Sequence, residues 1–186
     1  MNVAGCVLGF RWHLQRFARH REAVSALEFA LILPFMLLAY IGSVELGDGL
    51  AIQFKVTETA RTVTDLASQY VSIDGPTMSG ILGASTSVIS PYPSANMAVT
   101  VSEVTTNSQG QGTVTWSASL NGAPRTVGAS VTLPTALQTS NTSLIWGEVS
   151  YPYTPNLGYV ITGTVNLYQS TYFYPRLSSS VACNGC

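Results

Sequence analysis

The residue of this chain whose chemistry is most unusual for its surroundings is Glu28, a carboxylic acid inside a long apolar run. The run covers residues 23–44, has the sequence AVSALEFALILPFMLLAYIGSV, and contains no other charged residue. A charge in the hydrocarbon layer of a membrane costs at least about 2.5 kcal/mol, so an acid at such a position predicts a functional site. Glu28 could pair with a charge on another chain, or it could be protonated or extend to the membrane surface without a partner.

A second candidate for chemistry is the pair Cys183 and Cys186, separated by Asn184-Gly185. Redox-active pairs with this spacing normally lie at the start of a helix, where the helix dipole favours the thiolate. Asn-Gly favours a tight turn instead, and a thiol pair outside the cytoplasm can oxidise. We therefore expect a small structural disulfide, with free or intermolecular thiols as the alternative. Two cysteines alone do not make a metal site.

Other patterns for catalysis, metal binding or nucleotide binding are missing from the sequence. No histidine follows His20, which removes the usual general base and the commonest metal ligand from most of the chain. The acids of that part are scattered without a pairing motif, and they include Asp65, Asp74, Glu103 and Glu148. The sequence also lacks a glycine-rich phosphate loop in a strand-to-helix context. We therefore expect a protein that is not an enzyme, with no cofactor, no metal and no nucleic-acid partner.

Charge is scarce in this chain and unevenly distributed. Charged residues make up 9% of the 186 residues, against roughly 25% in ordinary soluble domains. Before the apolar run lie four arginines and no acid up to residue 21, namely Arg11, Arg16, Arg19 and Arg21. The second half is rich in Ser, Thr, Gly, Asn and Tyr, a composition typical of a secreted β-rich domain.

The apolar run has the length of a membrane span rather than that of a cleavable signal peptide. About 20 residues are needed to cross the bilayer, which exceeds a usual signal-peptide core. No A-x-A-like cleavage site follows, because Glu45 and Asp48 mark the exit from the apolar layer. The next basic residue is Lys55, so the upstream arginines predict a cytoplasmic N-terminus with the bulk of the chain outside.

The elements that position these residues follow from hydrophobic periodicity. Helical spacing continues beyond the apolar run, which predicts one helix over 24–71 whose outer part is amphipathic and packs on its own domain. Asp74-Gly75-Pro76 then breaks the helix. Alternation of period two predicts half-buried strands over 97–102 and 114–120, joined by a hairpin loop at 107–112. Further strands are expected at 126–131, 143–151, 159–168 and 170–174, and short helices at 76–82 and 133–139.

The predicted fold class is therefore α+β, with a long N-terminal transmembrane helix packed on a small antiparallel β-sheet domain. We expect three segments along the chain. Residues 1–22 form a basic cytoplasmic leader, residues 23–72 form the transmembrane and projecting helix, and residues 73–186 form a β-rich domain.

The membrane segment resembles a known family. Residues 21–31, REAVSALEFAL, followed by Pro34, Gly42, Glu45 and Gly47, are similar to the TadE-like segment of tight-adherence (Flp-type) pilus assembly proteins. The similarity continues in Ala60-Arg61 and, less specifically, in residues 149–155 and in Pro175-Arg176. The N-terminal part covers about 40 residues and carries most of the resemblance.

The resemblance implies a role for the start of the helix. Members of this family are pseudopilins or pilin-related proteins that cross the bacterial inner membrane once and carry a periplasmic domain. In several of them a prepilin peptidase removes the basic leader five residues before the glutamate. The corresponding cut here lies between Ala23 and Val24 and makes Glu28 the fifth residue of the mature chain. The family typically has glycine before the cut, where this chain has Ala23.

The resemblance therefore predicts a minor pilin or pseudopilin involved in assembling a Flp-type pilus. Its expected partners are the membrane, other pilin-like subunits, the pilus assembly machinery and a prepilin peptidase. The new ammonium group at Val24 would pair with Glu28 of a neighbouring subunit and set the register between subunits. The alternative is an unprocessed scaffold of the secretion complex, anchored in the membrane and carrying its periplasmic domain.

Overall fold

A computed structural model of the chain describes residues 21–155 and 157–186, which form two α-helices, two three-residue 3-10 helices (Ser94–Asn96 and Thr135–Leu137) and seven strands. The α-helices are α1 (Arg21–Ser68) and α2 (Gly75–Val88). The strands are β1 (Ser72–Asp74), β2 (Ala98–Thr106), β3 (Gly112–Leu120), β4 (Ser130–Val131), β5 (Ser143–Tyr153), β6 (Val165–Phe173) and β7 (Ala182–Asn184). The leader expected before residue 21 lies outside the described residues.

The long helix predicted from the periodicity is confirmed as α1, which begins and ends three residues earlier than expected. The prediction that Asp74-Gly75-Pro76 ends this helix was wrong. Asp74 instead caps the start of α2, where its side chain accepts a hydrogen bond from the backbone N–H of Thr77 at 2.9 Å. Pro76 lies in the first turn of α2, a position where a missing N–H costs nothing.

The chain forms two compact units, and each includes part of α1. Among the described residues, the first contains those up to Leu46 together with Leu157–Thr162. The second extends from Gly47 to the end of the chain, without Leu157–Thr162. These units group residues by contact, and the three segments expected from the sequence stay a prediction.

The second unit is built on a five-stranded antiparallel sheet with the order β4-β3-β2-β5-β6. The predicted hairpin is confirmed, because β2 and β3 pair directly and the loop between them spans Asn107 to Gln111. The strand expected at 126–131 is reduced to β4, and those expected at 159–168 and 170–174 are replaced by the single strand β6. A second, parallel pair joins β1 to β7, with Ile73 opposite Cys183.

The core of the second unit lies between α1 and one face of the sheet. The buried stripe of α1 repeats every three or four residues, as a helix packed on one side requires, and consists of Ile52, Val56, Ala60, Val63 and Ala67. Alternate residues of the sheet face it, including Val99, Val101, Ile145, Val149 and Tyr151. The outer part of the helix is therefore amphipathic and packs on its own domain, as expected.

The helix and the sheet approach most closely at Gly147 of β5. A Cβ atom at this position would lie 1.8 Å from Oγ1 of Thr64 and 3.1 Å from the carbonyl oxygen of Ala60. The Thr64 hydroxyl donates back to that same Ala60 carbonyl at 2.6 Å, so the helix presents no unpaired polar group here. Only glycine leaves enough space for this packing.

A buried acid fixes the last part of the chain to the sheet. Glu103 is 2% exposed, and its Oε1 accepts hydrogen bonds from the hydroxyl of Ser143 at 2.6 Å and from the backbone N–H of Val181 at 2.8 Å. Trp116, directly opposite Glu103 in the register, donates its indole N–H to the Val181 carbonyl at 2.7 Å. Glu103 and Trp116 thus bind the backbone N–H and the carbonyl group of Val181, the residue directly before β7.

We predict that Gly147→Ala lowers the free energy of unfolding by about 1–3 kcal/mol, because the added methyl group overpacks the contact with α1. Urea unfolding in detergent, followed by tryptophan fluorescence, measures the change. In the double variant Gly147→Ala/Thr64→Ala, part of the lost free energy of unfolding should return, because the second change removes Oγ1 of Thr64, the atom closest to the new methyl group.

The matched control is Gly83→Ala, an exposed position in α2 where an added Cβ meets no atom within 4 Å. Alanine is a better helix former than glycine, so this change should be neutral or stabilising by up to about 1 kcal/mol. Equal losses for the two glycine variants would contradict the proposed close approach.

Candidate functional site

Glu28 lies on an entirely exposed section of α1. Every residue from Val24 to Tyr40 is exposed, and the large apolar side chains among them include Leu27, Phe29, Leu31, Ile32, Phe35, Met36, Leu37 and Leu38. Within the described part of the chain, no hydrogen bond or ion pair reaches the Glu28 carboxylate. Residues 24–40 of α1 therefore present an apolar surface in which Glu28 is the one acid.

The expected processing bond, Ala23–Val24, lies at the start of α1, which begins at Arg21. Glu28 follows Val24 by four residues, which places the two on the same face of the helix, one turn apart. The structure thus brings together two of the residues that the sequence singled out, the first residue of the expected mature chain and the membrane acid.

A second glutamate of the same helix, Glu45, is 2% exposed and binds a distant loop. Its Oε1 accepts the backbone N–H of Tyr159 at 2.9 Å. Its Oε2 accepts those of Val160 at 3.1 Å and Ile161 at 2.8 Å. Three consecutive N–H groups converging on one carboxylate are the arrangement by which backbone loops bind anions. Here the anion is a side chain of the same protein.

The loop Leu157–Thr162, called the Glu45 loop below, also packs directly on the helix. A Cβ atom at Gly42 would lie 3.3 Å from Cγ2 of Val160, so glycine leaves room for this contact. Gly42 and Glu45 are three residues apart and therefore share a helix face. Both residues contact the same loop. Gly42 leaves room for the Val160 side chain, and the Glu45 carboxylate accepts the backbone N–H groups.

Sequence reasoning missed this role of Glu45, which it treated only as a marker of the exit from the membrane. It also expected a strand over 159–168, whereas β6 begins only at Val165. The available signal was the spacing of Gly42 and Glu45 on one helix face at the end of the apolar run. The sequence contains no local signal for the loop as the partner, because the two segments are more than 100 residues apart.

The two cysteines at the end of the chain lie next to each other. Cys183 belongs to β7, and the Cα atoms of Cys183 and Cys186 are 5.8 Å apart, with the sulfur atoms in bonding contact. Gly185 between them has φ +93°, a conformation that suits glycine in a tight turn. A strand and a turn, rather than a helix start, surround the pair. Its oxidation in the cell stays a prediction.

The face of the sheet opposite α1 carries an ion-pair cluster. Arg125 donates to both oxygens of Glu148, at 2.6 and 2.7 Å, and the Tyr168 hydroxyl donates to the same carboxylate at 2.6 Å. Burial, and then the bond to Glu148, raise the pKa of Tyr168 to about 12. The Arg125 guanidinium also stacks on Trp146 at 3.8 Å. Because the carboxylate is fully engaged and the phenol stays protonated, the cluster suits cross-strand stabilisation rather than proton transfer.

The described residues, 21–155 and 157–186, contain no group of three His, Cys, Asp or Glu side chains arranged to hold a metal ion. They do contain one helix, in the section Val24–Ser68, that is long and apolar enough to cross a membrane. This helix and the antiparallel sheet fit the class of single-pass membrane proteins with a small β-rich domain.

Residues 23–65 match the family model for TadE-like proteins, which confirms the resemblance seen in the membrane segment. The matched segment contains Glu28, Gly42 and Glu45 and covers less than half of the chain. The TadE-like family points to involvement in the assembly of Tad (Flp) pili. No curated protein and no solved structure matches the chain.

We predict that Glu45→Gln speeds the backbone hydrogen exchange of residues 159–161 at least about tenfold, because hydrogen bonds to a charged acceptor contribute about 1.5–3 kcal/mol. A carboxamide has one acceptor oxygen and no charge, so it cannot hold three N–H groups. Hydrogen–deuterium exchange on the detergent-solubilised protein measures the effect.

The control for this prediction is Asp48→Asn, which changes an exposed acid three residues further along the same helix. It should leave the exchange of residues 159–161 unchanged. Similar protection in the Glu45→Gln variant and the parent would show that the carboxylate does not hold the Glu45 loop.

Proposed function

We propose that this protein is a non-enzymatic minor pilin or pseudopilin that takes part in assembling a Flp-type pilus. The observation that carries the proposal is the exposed Glu28 carboxylate, one turn after Val24 on the apolar section of α1. The TadE-like match over the same segment supports it. The membrane, other pilin-like subunits, the assembly machinery and a prepilin peptidase are the partners of this role.

The proposed mechanism is charge pairing between subunits at the membrane. Cleavage after Ala23 leaves an ammonium group on Val24, and Glu28 of a neighbouring helix supplies the opposite charge. An unpaired charge in an apolar layer is costly, whereas a close pair recovers much of that cost. Sliding one helix along the other by a single turn, 5.4 Å, would separate the charges. The pair would therefore set the axial register of the packed helices.

The proposed orientation places the N-terminus in the cytoplasm and the sheet in the periplasm. The arginines before the apolar run support it, because short basic segments stay on the cytoplasmic side. In this orientation Cys183 and Cys186 lie in an oxidising compartment.

A second candidate is an unprocessed scaffold of the secretion complex that remains in the inner membrane. The observation that favours it is Ala23, which stands where the family typically has glycine before the cut. In this role the leader stays on the chain, and Glu28 has no new ammonium group to pair with. The mature N-terminus separates the two candidates.

We predict that mass spectrometry of the membrane-extracted protein finds Val24 as the first residue when the protein is made together with its prepilin peptidase. Ala23→Gly should raise the processed fraction, since glycine is the family's residue at this position. A peptidase-deficient strain supplies the unprocessed control. An intact leader on the parent chain, with full processing of the Ala23→Gly variant, would favour the scaffold.

We predict that Glu28→Ala leaves membrane insertion and leader removal intact and strongly reduces pilus assembly. The reason is that the Val24 ammonium group loses its partner while the helix becomes more apolar. Alkaline extraction reports insertion, and sheared surface pili report assembly. Glu28→Gln, which keeps the size but not the charge, should behave like the alanine variant.

The matched control is Glu58→Ala, which removes an exposed acid of α1 beyond the apolar section. Glu58 makes a 3.9 Å surface ion pair with Lys55, a contact expected to contribute at most about 1 kcal/mol. Pili should form normally in this variant. Normal pili in the Glu28→Ala strain would rule out charge pairing as the source of register.

A further inference from the structure

We propose that the Glu45 loop, Leu157–Thr162, binds the outer surface of the lipid bilayer and that Glu45 holds it there. The loop follows β5 in the chain and belongs to the same compact unit as the apolar section of α1. The inference rests on α1 crossing the membrane and does not depend on a role in pilus assembly.

The first observation is the composition and exposure of the loop. Its sequence, LGYVIT, contains no charged residue. Leu157 is 53% exposed, Tyr159 70% and Val160 51%, so the loop displays apolar groups that no described residue covers. Tyrosine is enriched at the headgroup level of membranes, where its ring contacts lipid and its hydroxyl contacts water. An apolar loop tipped by tyrosine therefore suits a lipid surface.

The second observation is the level at which the loop contacts the helix. Val160 packs at Gly42, and its backbone N–H donates to the carboxylate of Glu45, about one turn further along α1. Gly42 follows Val24 by 18 residues, a rise of about 27 Å along the helix. The hydrocarbon core is about 30 Å thick, so the loop lies where the helix leaves it. Val44 and Leu46, which flank Glu45, are exposed as well and extend the apolar surface of the span to the loop.

The third observation is how the backbone of the loop is satisfied. Peptide N–H groups that meet lipid without an acceptor cost several kcal/mol each. Glu45 accepts the N–H groups of Tyr159, Val160 and Ile161 inside the unit. The apolar side chains can therefore face lipid without bringing unpaired donors with them. The continuity with the lipid-facing helix favours lipid over a second protein copy as the occupant.

The test places a fluorescent probe in the loop of the full chain. Tyr159→Trp is reconstituted in liposomes whose acyl chains carry bromine near the headgroup, at a low protein-to-lipid ratio. The parent signal from Trp12, Trp116 and Trp146 is subtracted. The added emission should be blue-shifted and lost in brominated lipid. Tyr174→Trp, at a 49% exposed position of the second unit, is the matched control and should keep its emission.

The possible results separate the proposal from its competitors. Unquenched emission with a water-like maximum would overturn it, and so would blue-shifted but unquenched emission, which would indicate cover by protein. Glu45→Gln in the Tyr159→Trp background should weaken the quenching while alkaline extraction stays unchanged. Undiminished quenching in that double variant would overturn the holding role of Glu45. An unprocessed leader or normal pili without Glu28 would reject the pilus proposal and leave these readouts untouched.

Discussion

The close approach of α1 to β5 at Gly147 is the constraint on which the second unit depends. The helix presents a small surface there, with Ala60 and the self-bonded Thr64, and the strand presents no side chain. Larger residues on either side, Ile145 and Val149, then fill the space beside the contact and are fully buried. Because side chains alternate along a strand, this contact also decides that Leu144, Trp146 and Glu148 point to the opposite face. The aromatic and ion-pair cluster of that face follows from where the helix packs.

Both units contain a buried carboxylate that binds backbone N–H groups of a distant segment. Glu103 accepts the N–H of Val181, and Glu45 accepts the N–H groups of residues 159–161. Each acid lies on a regular element and binds an irregular segment far away in the sequence. Irregular segments leave their peptide groups without ladder partners, and a carboxylate can accept several of them at once. A chain with few charges thus uses two acids to fix loops rather than to do chemistry.

The parts of the fold that were predictable from the sequence are those encoded by local periodicity. The stripe of α1 and the alternation of β2 and β3 are local patterns, and all three elements formed as expected. The pairing of Ile73 with Cys183 was not predictable, because it joins strands of three residues whose contact depends on the finished core. The strand expected at 159–168 failed for a related reason. Tyr-Val-Ile has the composition of a strand, but Glu45, and not a neighbouring strand, binds its N–H groups.

Glu28 and Glu45, both in the first unit, differ in their contacts, and the difference favours Glu28 for the proposed contact between subunits. Both lie on α1 in the TadE-like segment, at opposite ends of the apolar section. The charge of Glu45 is compensated by three N–H groups of its own chain, so it needs no external partner. Glu28 has no such contact among the described residues, and lipid supplies neither a donor nor a high dielectric constant. In the proposed role, an opposite charge from outside the described fold would stabilise this carboxylate. An ammonium group at the start of a neighbouring helix would meet that need when the two helices are offset by about one turn, and this group exists only after the leader is removed. Subunit contact would thereby be coupled to processing, and Ala23 is the residue on which that coupling depends.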